Sequence, residues 1–207
     1  MKKTTKLLSA TIIIIFVMSF LTGCGGQPSN SSTSKNNGNT NVQTNGETAT
    51  AKAAFDTLKS SIDEVLAGKS SPRLGQVVGS GVDSSGKAKS WMFMYYVDRS
   101  DGKYSDVYTF RLNKGKIEKY SEELMSVGLD TPDFDYVRND IGNDWKDSPE
   151  VAKAVYASGN ETNKNGIRMS GKWNKEKLND GPIWEVDTMT YEPQHVSLYN
   201  MKTGAKI

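Results

Sequence analysis

The chain has 207 residues, with 26 Lys and Arg against 24 Asp and Glu, one His and one Cys. That length is enough for one sizeable core, and a single cysteine with a single histidine excludes both a disulfide framework and a zinc site of the usual ligand count. A formal charge of +2 gives none of the basic excess that nucleic-acid binding requires.

The N-terminus is positive, with Lys2, Lys3 and Lys6 and no acid. Leu7 to Phe20 follows as an apolar run, a length suited to the middle of a secretory signal and short of the roughly 20 residues a transmembrane helix needs. Leu21-Thr22-Gly23-Cys24 closes the run. These four residues resemble the lipobox of bacterial lipoproteins. The resemblance implies diacylglyceryl transfer to the Cys24 sulfur and cleavage before Cys24 by a signal peptidase that recognises Leu21, Thr22 and Gly23. It further implies a lipid-anchored protein on the extracytoplasmic face of the cell membrane. The competing readings are an ordinary secretory signal and an uncleaved anchor. Removal of residues 1–23 leaves 184 residues, 23 basic and 24 acidic, a formal −1. The basic balance of the full chain therefore resides in the leader.

Residues 24–50 are read as the lipidated cysteine and a tether. Gly25 to Thr50 is built of Ser, Asn, Thr, Gly and Gln, with Val42 as its one sizeable apolar residue. Such a segment buries too little surface to offset ordering entropy, which predicts disorder.

From Ala51 to Ala67 the apolar residues Phe55, Leu58, Ile62, Val65 and Leu66 recur at helical spacing, and Gly68 supplies a stop. Arg73 to Val82 is predicted as a strand, Asp83-Ser84-Ser85-Gly86 as a turn. Trp91 to Val97 is a strand with apolar side chains on both faces, hence central in a sheet. Tyr104 to Leu112 is a further strand, closed by the tight turn Asn113-Lys114-Gly115. Residues 121–147 are read as a connector in which Leu124, Met125 and Leu129 could form a short helix. Ser148-Pro149-Glu150 is a helix start, with the Ser148 hydroxyl as cap and Val151, Ala154 and Val155 on the apolar side. Ile167 to Trp173, Ile183 to Tyr191 and His195 to Met201 are the remaining strands.

The two halves, 51–120 and 148–207, share an order of helix, strand, Trp-bearing strand, strand and Gly turn. Arg73-Leu74 matches Arg168-Met169, Trp91 matches Trp184, Phe110 matches Tyr199 and Gly115 matches Gly204. This predicts an α+β fold of two tandem helix-plus-antiparallel-meander repeats, with chance recurrence of a common pattern as the rival account. Pro182-Ile183-Trp184-Glu185-Val186, Val196-Ser197-Leu198-Tyr199 and Lys202-Thr203-Gly204 resemble the closing hairpin of PepSY-type domains, and Asp147-Ser148-Pro149-Glu150 is similar to the start of their helix. The acid usual before the Thr-Gly turn is replaced here by Asn200 and Met201. The resemblance implies a PepSY/cystatin-like fold and an envelope interaction or peptidase-restraining role. It supplies no catalytic residues.

Chemistry was sought residue by residue. His195 has no nucleophile elbow to serve. Asp130, Asp133, Asp135, Asp140 and Asp144 lack the spacing of a calcium loop and read as a solvated acidic segment. Gly79-Ser80-Gly81 lacks the lysine of a phosphate loop. The expectation is a protein that is not an enzyme, with no metal and no cofactor. It binds a protein or peptide, with Trp91, Phe93, Tyr95, Trp184 and Tyr191 as the aromatic residues of a partner surface, unless that strand face is core. A small-ligand envelope receptor is the alternative, and a hydrolase using the acidic segment is the least favoured reading.

Overall fold

The structure, a computed structural model, describes residues 47–102, 104–126, 138–158, 166–174, 181–188 and 196–207. The leader, the lipobox residues Leu21, Thr22, Gly23 and Cys24, and all but the last four tether residues lie outside them. All described residues belong to one compact unit, Asn41–Ile207.

α1 (Ala51–Leu66) forms where the periodicity predicts it. Thr50 caps it, accepting from the Ala53 amide at 3.3 Å, and Ala51, Ala54, Leu58, Ile62 and Leu66 face inward. The chain then runs through β1 (Arg73–Val82), β2 (Ser90–Asp98), β3 (Tyr104–Asn113), β4 (Lys116–Ile117) and β5 (Ser121–Ser126). After α2 (Ser148–Ala157) come β6 (Ile167–Asn174), β7 (Gly181–Asp187) and β8 (Val196–Asn200). Between β3 and β4, Lys114 and Gly115 both take positive φ, 49° and 71°, the two-residue turn whose twist matches that of the flanking strands.

The fold is α+β, with an eight-stranded antiparallel sheet and two helices among the described residues. The strand order is β4-β3-β2-β1-β6-β7-β8, and β5 pairs β3 on the same side as β4. The opening strands of the two halves, β1 and β6, therefore meet at the centre. The connector is not a mere link. Ser121–Ser126 is a strand, where the sequence suggested a short helix. Ile141 and Trp145 are buried in the core, and the Ile141 amide donates to the Leu74 carbonyl at 2.8 Å.

The main core joins the inner faces of both helices to Leu74, Val77, Trp91, Phe93, Tyr95, Phe110, Met169, Trp184, Val186 and Tyr199 on one face of the sheet. On the opposite face Tyr96 and Val107 are buried, with Met94 and Met125 packed against them.

The cap of α2 differs from expectation. Asp147, not Ser148, is the N-cap residue, and its carboxylate accepts from the Ser148 amide at 2.7 Å. The same oxygen accepts from the Lys52 amide of α1 at 2.9 Å. The Ser148 hydroxyl accepts from the Ala51 amide at 2.9 Å and donates to the Gly86 carbonyl at 2.6 Å. The orphan amides of two helix starts are thus satisfied by one pair of side chains, which locks α1 to α2.

Candidate functional site

The aromatic residues expected on a partner surface are core. Trp91, Phe93, Tyr95 and Trp184 are at most 9% exposed; Tyr191 lies outside the described residues. The correction has a physical cause. A strand carrying large rings on alternate positions serves equally as a binding face or as the floor beneath a helix, and here the helices cover it. The Trp91 indole N–H donates to the Ala49 carbonyl at 2.6 Å, two residues before α1 begins. The Trp184 N–H donates to the Lys146 carbonyl at 3.1 Å, two residues before α2 begins. Each ring lies across the sheet from a glycine, Gly79 for Trp91 and Gly171 for Trp184. The two indoles meet at 6.4 Å, and Trp145 stands edge-on to Trp184 at 5.8 Å. Burial also raises the Tyr95 hydroxyl pKa, with Asp140 and Asp63 adding to the effect.

Accessible apolar surface gathers elsewhere. Among the described residues six large hydrophobics are exposed, and four of them share one shelf: Tyr104 at 37%, Ile117 at 48%, Tyr120 at 38% and Leu124 at 56%. Tyr104 belongs to the β3 face that carries Tyr108, Phe110 and Leu112 into the core. Ile117 lies opposite Leu112, and Leu124 opposite Asp106, on that same face. Tyr120 stacks on Phe110 at 5.9 Å and approaches Tyr108 at 6.4 Å. The shelf therefore continues the core outward along the rim of the sheet. Beside it runs β5, whose outer edge pairs with no strand among the described residues.

A polar triad marks the shelf. Tyr108, itself buried, donates from its hydroxyl to Glu122 at 3.0 Å, and the Lys69 ammonium lies 5.1 Å from the Tyr108 ring centre. Burial and the Glu122 carboxylate raise the phenol pKa despite the pull of Lys69. The hydrogen bond with Tyr108 raises that of the Lys69 ammonium. These charges fix β5 and the end of α1 around the ring.

Among the described residues a cleft of about 270 Å³ is lined by Phe55, Lys59, Ile62, Asp63, Tyr95 and Asn143 among others. It falls below the range of roughly 300–1,000 Å³ usual for small-ligand sites, and Lys59 and Asp63 of its lining pair at 2.7 Å. The acidic segment is divided. Asp140 accepts from the Leu74 and Gly142 amides at 3.1 and 3.0 Å, Asp144 pairs with Lys202 at 3.2 Å, and Asp130, Asp133, Asp135 and His195 lie outside the described residues. Among the described residues no three of His, Cys, Asp and Glu are grouped to hold a metal, and no helix is long and apolar enough to cross a membrane. The shelf was missed in the sequence because Ile117, Tyr120 and Leu124 are spaced by three and four, a helical interval. Comparison with known proteins returned no match among family models, curated sequences or solved structures.

Proposed function

We propose that the chain is a lipid-anchored extracytoplasmic protein that binds an extended segment of a partner protein along β5. The observation that carries the binding is the shelf of Tyr104, Ile117, Tyr120 and Leu124 beside an unpaired strand edge. An extended peptide added to such an edge gains main-chain hydrogen bonds, and an adjoining apolar shelf receives its alternate side chains. The anchor reading rests on Leu21-Thr22-Gly23-Cys24 at the end of a positive-then-apolar leader. Two acyl chains hold firmly where one is marginal, since burial contributes on the order of 0.8 kcal/mol per CH₂. No reaction is assigned.

The same reading treats the fold as two copies of one α+β unit of PepSY/cystatin-like type. It is supported by the paired indole-to-carbonyl bonds, each two residues before its helix, and by the glycine facing each indole. It is supported too by the register at the centre. If Val77 is equivalent to Met169 and Gly79 to Gly171, the observed pairs Val77–Gly171 and Gly79–Met169 exchange into one another, as a two-fold axis beside Val78 and Ser170 would require. On this reading Met169 would match Val77 where the sequence alone suggested Leu74, and Tyr199 would match Leu112 where it suggested Phe110.

Two measurements test the proposal. Metabolic labelling with a palmitate analogue is expected to mark the wild type and not Cys24→Ala; label retained by the mutant would overturn the anchor. A photo-crosslinking residue at position 124 is expected to capture a discrete partner in cells, and one at position 59, on the outer side of α1, is not. Identical adducts from both positions, or none from 124, would remove the shelf as a binding site.

A further inference from the structure

One end of the sheet gathers the β1–β2 connection, the β3–β4 turn and the point where the tether joins the domain. Ala88 exchanges backbone hydrogen bonds with Ala49 at 3.0 and 2.9 Å, so the chain arriving from the tether meets the sheet between Lys87 and Lys89. The Lys114 amide donates to the Lys89 carbonyl at 2.6 Å. Lys116 lies opposite Asn113, which is itself opposite Ser90. Lys87, Lys89, Lys114 and Lys116 are all exposed, and none of them forms an ion pair among the described residues.

The acids of this end include those at the start of α2, because the Ser148 hydroxyl bonds the Gly86 carbonyl. Glu47 is exposed beside the tether. Asp83 accepts from the Ser85 and Lys87 amides. Glu118 is occupied by Arg111 and Asn113. Asp147 caps α2 and accepts from the Lys52 amide, and Glu150 pairs with Lys146. Setting the Glu118–Arg111 and Glu150–Lys146 pairs aside, Lys52, Lys87, Lys89, Lys114 and Lys116 against Glu47, Asp83 and Asp147 leave a local excess of two positive charges. The mature chain carries −1, so the remainder sums to −3. The charge of the domain is polarised, and its positive pole is where the tether attaches.

We propose that this lysine end faces the bilayer and contacts anionic lipid, fixing the orientation of the domain. The inference rests on the lipid-anchor reading. Residues 25–46, if they behave as the flexible coil their composition suggests, give a mean span of roughly 25 Å, so the lysines sample the membrane surface at high effective concentration. Electrostatic attraction then acts within about 8 Å at physiological salt, and a basic patch of this kind supplements an acyl anchor. The orientation matters for the shelf. β3 runs about 30 Å over its ten residues, from Asn113 at the lysine end to Tyr104 at the other. With the lysines down, Ile117 lies nearest the lipid and Tyr104 farthest, and the open edge of β5 stands clear of the bilayer.

The test uses the chain from residue 24 with Cys24→Ser, which retains the whole compact unit and carries no lipid. It is sedimented with vesicles of phosphatidylglycerol and phosphatidylcholine in equal parts, and with pure phosphatidylcholine vesicles. Binding is expected to the anionic vesicles only, weakening as salt rises. Lys87→Glu, Lys89→Glu and Lys116→Glu together are expected to reduce it about tenfold or more; Lys114 is left because the turn sets its positive φ. The corresponding glutamines, an intermediate loss, serve if the reversal variant does not fold. Equal binding to both vesicles, or undiminished binding by the variants, overturns the proposal. Because the acyl group is absent throughout, failure here leaves the palmitate result untouched, and failure of labelling leaves this one.

Discussion

The two halves of the molecule are alike in the middle and different at the rims. In each, a tryptophan on the second strand bonds the carbonyl two residues before the helix and lies over a glycine of the first strand. The rim of the second half is finished. Lys206 bridges Tyr199, the Ile207 amide donates to Leu198 and the Asn200 amide to Ala205, so the C-terminal residues occupy the outer side of β8. The first half has the matching short return, Lys116–Ile117 beside Leu112, but then adds β5 and the exposed shelf. An open strand edge invites unwanted pairing and is ordinarily covered. What recurs is therefore the part that holds helices to sheet, and what diverges is the part that faces outward. The proposed binding role falls on the rim where the two halves differ.

The comparison breaks most visibly at the tryptophans. Trp91→Ala and Trp184→Ala should each cost about 3–5 kcal/mol, because each empties a fully buried ring site and removes the indole hydrogen bond that ties it to the start of a helix. Denaturant unfolding of both variants measures this. Similar losses support equivalent clamps; a loss under about 1 kcal/mol at one of them, well below the range for emptied aromatic sites, would show that only one half is held this way. The facing glycines sharpen the point. At Gly79 a Cβ would come within 2.7 Å of three atoms of the Trp91 ring, a rigid group with nowhere to move. At Gly171 the nearest atoms are the Met201 methyl at 2.8 Å and sulfur at 3.0 Å, the adaptable end of a thioether. Gly79→Ala should therefore cost about 1–3 kcal/mol, the usual range for overpacking, and Gly171→Ala measurably less. The reverse order would mean that the indole shifts more readily than the methionine.

Much of this architecture was legible because its cues are local. α1 announces itself through Phe55, Leu58, Ile62 and Leu66, and β1 to β3 through alternating apolar residues between turn residues. The Asn113-Lys114-Gly115 turn needs only its own φ preferences. β5 was illegible because Glu122 and Glu123 interrupt any alternation; an edge strand can carry them since its rim meets water, and a pattern of three and four then mimics a helix. The adjacency of β1 and β6 rests on residues some ninety positions apart and leaves no trace in either strand. Nor could the sequence tell a buried Trp91 from an exposed one, since a ring under a helix and a ring awaiting a partner occupy the same alternating position. Asp147 and Ser148 exchanged roles for a similar reason: the hydroxyl is claimed by Ala51, a residue of the other helix.

The smallest expected effect is a pH response from two carboxylates of the first half. At the end of β2, Asp98 accepts from the Arg73 guanidinium at 2.7 Å and from the Ser105 hydroxyl at 2.8 Å. Arg73 holds its carboxyl below the usual range, partial burial opposes this, and Ser105 reinforces it. Asp83, in the β1–β2 turn, is pushed up by burial but ends below its ordinary value. Hydrogen bonds from the Ser85 hydroxyl and the Lys87 and Ser85 amides outweigh that burial. A carboxylate whose folded pKa lies below its unfolded value, about 3.9 for aspartate, contributes stability in full above that value. The contribution is lost as pH falls through the folded pKa. Because the Asp98 carboxylate is 57% exposed, the pair is worth no more than about 1 kcal/mol in water. Unfolding midpoints measured downward from pH 6 should fall below about pH 4 in the wild type, fall less in Asp98→Asn, and fall least in Asp83→Asn with Asp98→Asn. A double variant as acid-sensitive as the wild type would remove Asp83 and Asp98 as its source.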